Sequence, residues 1–93
     1  MNYNYFVAYD LNFPGQNYDA VIERIKSLGT HAHMQMSLFY LKTDLTMIEV
    51  HTSIREVMDA NDKLAVIWAQ DAYVSNYHPA NLATLQLAFA NLA

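Results

Sequence analysis

The segment Tyr3 to Leu11, YNYFVAYDL, alternates as a strand does, with Tyr5, Val7, Tyr9 and Leu11 on one side and Asn4, Phe6, Ala8 and Asp10 on the other. Successive strand residues point to opposite faces of a sheet, and Tyr, Phe and Val favour that pleated surface. Both sides are largely apolar, as in a central strand, so the rest of the chain has to supply its neighbours.

Those neighbours are readable in outline. Phe13-Pro14-Gly15 breaks the strand, and Asn17 is placed as the N-cap of a helix with Tyr18, Val21, Ile22, Ile25 and Leu28 at spacings of three and four, ended by Gly29 as a C-cap. HMQMSLFYLK, from His33 to Lys42, is extended in character. Thr46-Met47-Ile48-Glu49 is a capping box with Leu45 and Val50 as its hydrophobic staple, opening a second helix with the stripe Met47, Val50, Ile54, Val57 and Met58. Asn61-Asp62 then turns the chain into a continuous apolar strand, Leu64 to Ala69, covered on at least one face. A last helix starts near His78-Pro79 and carries Leu82, Leu85, Phe89 and Leu92 on one stripe.

The order is β, α, extended β, α, β with a terminal helix. It predicts an α+β domain of ferredoxin-like (split βαβ) type: a small sheet with two helices on one face, plus a C-terminal helix. One domain spans residues 1–93, with a core over about 3–70 and the last helix over about 79–93. The fold requires Thr30 to Asp44 to supply two strands. No Gly or Pro lies inside that stretch, so it is either a very tight hairpin or one bent strand.

Ninety-three residues bury a smaller fraction of their surface on folding than a larger chain does, and with 54% hydrophobic and 15% charged residues the chain has few charges to cover its outside. A homodimer would relieve that shortage. With no cysteine, disulfides and thiolate metal sites are excluded. The N-terminus has no signal-peptide pattern and no apolar run approaches the ~18 residues of a membrane span, so a cytoplasmic protein without a membrane partner is expected. The net charge of −4 disfavours nonspecific binding to nucleic acid, and Arg24, Lys26, Lys42, Arg55 and Lys63 are scattered.

Four blocks, AYDLN at the end of the first strand, PGQNYDAVIERIKSLG, SLFYLKTDLT and NDKLAVIWA, together resemble the SinR-like relatives of the second CRISPR-associated protein, here called Cas-two. That group shares its small ferredoxin-like fold with the VapD-type ribonucleases, and the resemblance covers residues 3 to 70. It implies a homodimer in which an aspartate ending the first strand, matched here by Asp10, faces its symmetry mate. In competent members the pair is thought to hold a divalent cation, Mg²⁺ or Mn²⁺, and to help hydrolyse phosphodiesters. Many nuclease-like members follow that aspartate with a basic stretch, where this chain has Asn12-Phe13-Pro14-Gly15-Gln16.

Asp10 is thus the candidate catalytic and metal-binding residue, set against a role as a turn cap assisted by Asn12. His31 and His33, two apart, share one face if they lie on a strand, but no third ligand is evident. His51 and His78 read as structural, His78 as a cap. Ser37 or Ser53 with a histidine and Asp44 lacks the nucleophile elbow of a hydrolase. Tyr3, Tyr5 and Tyr9 suggest either base stacking or core packing, and Met34, Met36, Met47 and Met58 fill core gaps. Two functions follow: a divalent-metal-dependent endonuclease or nucleic-acid-handling subunit with Asp10 at the dimer axis, or a noncatalytic dimeric module that binds a protein partner.

Overall fold

A computed structural model describes residues 2–12 and 18–92. The chain runs β1 (Tyr3–Asp10), α1 (Tyr18–Ser27), β2 (Thr30–Gln35), β3 (Leu38–Thr43), α2 (Met47–Arg55), β4 (Lys63–Trp68), α3 (Pro79–Ala88) and a 3-10 turn at Ala90–Leu92. The strands lie in the order β2-β3-β1-β4 and every neighbouring pair is antiparallel. β1 is therefore an inner strand, as its two apolar sides require. β3 lies between β1 and β2, the strands that α1 joins, which is the split βαβ of a ferredoxin-like fold.

The two sides of β1 feed two cores. Tyr5, Val7, Tyr9 and Leu11, with Phe39 and Leu41 of β3, pack under Val21 and Ile25 of α1 and Val50 and Ile54 of α2. On the opposite face, Phe6 of β1, Ala32 and Met34 of β2 and Tyr40 of β3 pack against Leu85 and Phe89. The Phe6 and Phe89 rings stack with centroids 5.7 Å apart, and Tyr40 meets Phe89 edge-on. Leu85 and Phe89 are buried, so the middle of the terminal stripe serves the domain's own second core.

The stretch between the first two helices forms two strands joined at Met36-Ser37. Two-residue hairpins usually need positive φ, yet the non-glycine residue with positive φ among those described is Asn76. A register shift between His33 and Gln35 accompanies this ordinary turn, and bulges add the local twist that such a turn lacks. Gly29 follows the end of α1, as expected of the residue that stops that helix, and its φ lies outside the left-handed region. It is needed for space, because a Cβ there would collide with the Lys42 carbonyl oxygen of β3.

Local signals placed the later helices. Thr46 Oγ1 accepts the Glu49 N–H at 3.3 Å, and Glu49 Oε1 accepts the Thr46 N–H at 2.9 Å, closing the capping box. His78 Nδ1 accepts the Ala80 N–H at 3.1 Å and Pro79 takes the first turn of α3. The expected N-cap Asn17 and the Phe13-Pro14-Gly15 break lie outside the described residues. Two methionines differ from expectation: Met36 on the hairpin turn is 78% exposed and Met47 at the start of α2 is 40% exposed. Met34 and Met58 are half-buried against the two cores.

Candidate functional site

Asp10 ends β1, exposed, directly across from Lys63 of β4. A strand-end aspartate caps its own turn by accepting the backbone N–H two residues on. Here that donor, the Asn12 N–H, goes to Asp62 Oδ1 at 2.7 Å. The other Asp62 oxygen accepts the Asp59 N–H at 2.8 Å, and Arg55 donates to the carbonyls of Asp59 and Asp62 at 2.8 Å each. Asp62, only 8% exposed, therefore clasps the end of β1 to the connection between α2 and β4. Charge-assisted bonds of this kind are roughly twice as strong as neutral ones. Sequence reasoning read Asn61-Asp62 merely as a turn, since a bond across fifty residues leaves no local pattern.

Of the five cations, the two arginines are engaged within the chain. Arg24 donates to the Ser53 carbonyl at 2.7 Å and to the Glu56 carboxylate at 2.8 Å, joining α1 to α2. Arg55 is held in the Asp62 clasp. Lys26 lies 3.9 Å from Glu23, a weak surface pair. Lys42 is half-buried and lines a cavity of about 160 Å³ with Thr30, Tyr40, Thr84, Leu87 and Ala88. That cavity lies toward the Asn4 end of the sheet, which the register sets opposite to Asp10.

The remaining candidates are drawn into the structure. His31 and His33 do share a face, as their spacing predicted. The His33 ring stacks on Phe39 at 4.2 Å and His31 meets the same ring edge-on. Their ring nitrogens lie within hydrogen-bond reach of the Gly29 and Met36 carbonyls at 3.1 and 3.2 Å. His51 is exposed on α2. Ser37 lies in the hairpin turn, where its carbonyl accepts the Tyr9 N–H, while Ser53 lies on α2 beside Arg24. Tyr5 and Tyr9 lie beneath the helices, with hydroxyls donating to the Leu45 and Met36 carbonyls at 2.8 and 2.9 Å, so that face offers no platform for bases. Burial pushes the Tyr9 phenol up to about 12, with Tyr18 adding to the rise.

Among the described residues, no group of three or more His, Asp or Glu side chains is placed to hold a metal ion. At the Asp10 position one chain brings a single exposed carboxylate, and a Mg²⁺ ion there would draw its remaining oxygen ligands from water, substrate phosphate or a second copy. No helix among the described residues is long and apolar enough to cross a membrane.

No protein-family model and no curated protein matches the chain. Among solved structures, the chain is similar to the hypothetical protein TT1823 from Thermus thermophilus. The TM-score is 0.66 at 22% identity, over 84% of this chain and 96% of that one. At that identity the likeness establishes the fold, and it supports the small α+β sheet described above.

Proposed function

We propose that the chain is a homodimeric, noncatalytic interaction module on a Cas-two/SinR-like ferredoxin fold. The observation that carries this reading is the exposed apolar pair Ile67 and Trp68, 52% and 54% exposed, on a strand at the open edge of the sheet. The two arginines, the side chains best suited to gripping phosphate, are meanwhile spent on internal carbonyls and a carboxylate. An acidic chain whose arginines are committed inside is poorly equipped to draw in a polyanion.

One observation favours the second reading, a metal-dependent nuclease. The Asn12 N–H that an Asp10 turn cap would use belongs to Asp62, which removes one structural reason for a carboxylate at Asp10. In that reading Asp10 from each of two chains holds Mg²⁺ or Mn²⁺, and the ion supplies Lewis-acid activation of a phosphodiester. Thermal scans with and without Mn²⁺ on wild type and Asp10→Asn, beside nuclease assays on single- and double-stranded substrates, separate the two. The module reading expects the same metal response in both proteins, no cleavage, and at most ~1 kcal/mol lost in the variant. A Mn²⁺-dependent rise in melting temperature confined to wild type, together with cleavage, would establish the nuclease instead.

A further inference from the structure

We propose that β4 pairs with β4 of a second copy, antiparallel about a two-fold axis through Val66, so that two sheets continue as one. This rests on the homodimer of the reading above and assigns its interface.

The backbone sets the register. Ala69 donates its N–H to the Asn4 carbonyl at 2.9 Å, continuing the β1–β4 ladder. In an antiparallel ladder alternate residues bond the same neighbour, so Lys63, Ala65 and Ile67 turn their backbone groups toward β1. Leu64, Val66 and Trp68 turn theirs outward, and no strand of the sheet lies on that side. With the axis at Val66, Val66 meets itself and Leu64 meets Trp68, which pairs every outward N–H and carbonyl of both strands. An axis at Ala65 or Ile67 leaves Trp68 or Leu64 without a counterpart in β4.

The side chains fit the same register. Leu64 lies against Trp68 of the second copy on the side of α1 and α2, and small Ala65 lies against Ile67 on the other. Lys63 is the one charged residue of β4, and Asp71 follows just beyond the strand's far end. Antiparallel pairing brings Lys63 to the Asp71 end of the second copy, so the charges are complementary. Of the devices that usually blunt an edge, β4 carries one, Lys63 at its start; it has no proline, and its register with β1 runs without a bulge.

The geometry has a consequence for Asp10. Asp10 lies opposite Lys63, three residues from the axis, which puts the two carboxylates about 25 Å apart given ordinary strand spacing and rise. They cannot share a cation in this dimer.

The test uses the absence of native cysteine. Val66→Cys should form a covalent dimer on mild oxidation, because paired Cα atoms about 5.5 Å apart lie within disulfide reach, whereas Leu64→Cys, facing Trp68, should not. Val66→Pro removes an outward N–H without touching the β1 ladder, and Ile67→Lys adds a charge at an exposed position. Each should raise the dissociation constant at least tenfold by light scattering or sedimentation, while Leu87→Lys on α3 should not. The emission of Trp68, the single tryptophan, should shift to the red on dilution of wild type. A dimer that survives Val66→Pro and Ile67→Lys and gives no crosslink at position 66 overturns this interface but leaves the homodimer reading standing. A wild-type monomer at 100 μM overturns both.

Discussion

The two edges of the sheet are built differently. At the β2 edge, Asn81 of α3 donates to the His33 carbonyl at 2.9 Å, Tyr77 donates to Gln35 at 2.5 Å, and a register shift interrupts the strand. At the β4 edge the ladder is regular and Ile67 and Trp68 stand half in solvent. Sheet edges attract other strands, and here the chain's own side chains reach one edge while the other stays open. The difference teaches that the terminal helix acts as a shield for the β2 side rather than as a free apolar surface.

The strongest way to break the contrast is to remove the shield. Phe89→Ala should cost ~4 kcal/mol, the usual loss for a buried aromatic, and hydrogen exchange should quicken in α3 and β2 ahead of β4. Next comes alkaline pH. Burial raises the Tyr40 phenol from 10.0 to about 12, while its hydroxyl donates to Asn4 Oδ1 at 2.6 Å. The unfolded chain loses that proton first, so the stability Tyr40 contributes is complete below pH 10 and falls as pH rises toward 12, by ~2 kcal/mol. Denaturant melts across that range should show the fall, and Tyr40→Phe should flatten it relative to wild type.

The β4 side has its own weak point. Asp62→Ala opens the clasp and leaves the Asn12 and Asp59 amides without their acceptor, at ~2 kcal/mol, with exchange rising at the β1 end and in β4 rather than in α3. The smallest effect is expected from Asn81→Ala, ~0.5–1 kcal/mol, since it frees one carbonyl near solvent. If that variant self-associates through β2 in sedimentation, the shield depends on that contact. If it stays like wild type, the register shift and the bulk of α3 are enough.

What could be read from residues alone was what depends on near neighbours. The Thr46–Glu49 box, the His78-Pro79 start of α3 and the two-sided apolar character of β1 each need only a few residues, and each was visible. The exposure of Met36 and Met47 was not, because it depends on which helix or strand lies opposite. The same holds for Asp62, whose partner Asn12 is far along the chain, and for Trp68. A continuous apolar strand looks the same in a sequence at the middle of a sheet and at its rim, and only strand order tells them apart. For the candidate site the sequence supplied Asp10 but not the loss of its turn-capping donor, and it counted the arginines without showing how they are engaged.

Strand order also imposes a schedule on the ribosome. β1 sits mid-sheet but is the first of the four strands to be made, and β4, one of its two partners, follows about fifty residues later. At the usual ~5–20 residues per second, β1 waits roughly 3–10 s for that partner, and longer while the partner clears the exit tunnel. Throughout that wait a sticky YNYFVAY segment has at most one flank occupied, so nascent chains on neighbouring ribosomes can meet through it. Holding factors that bind extended apolar chain should therefore matter most for this protein during translation.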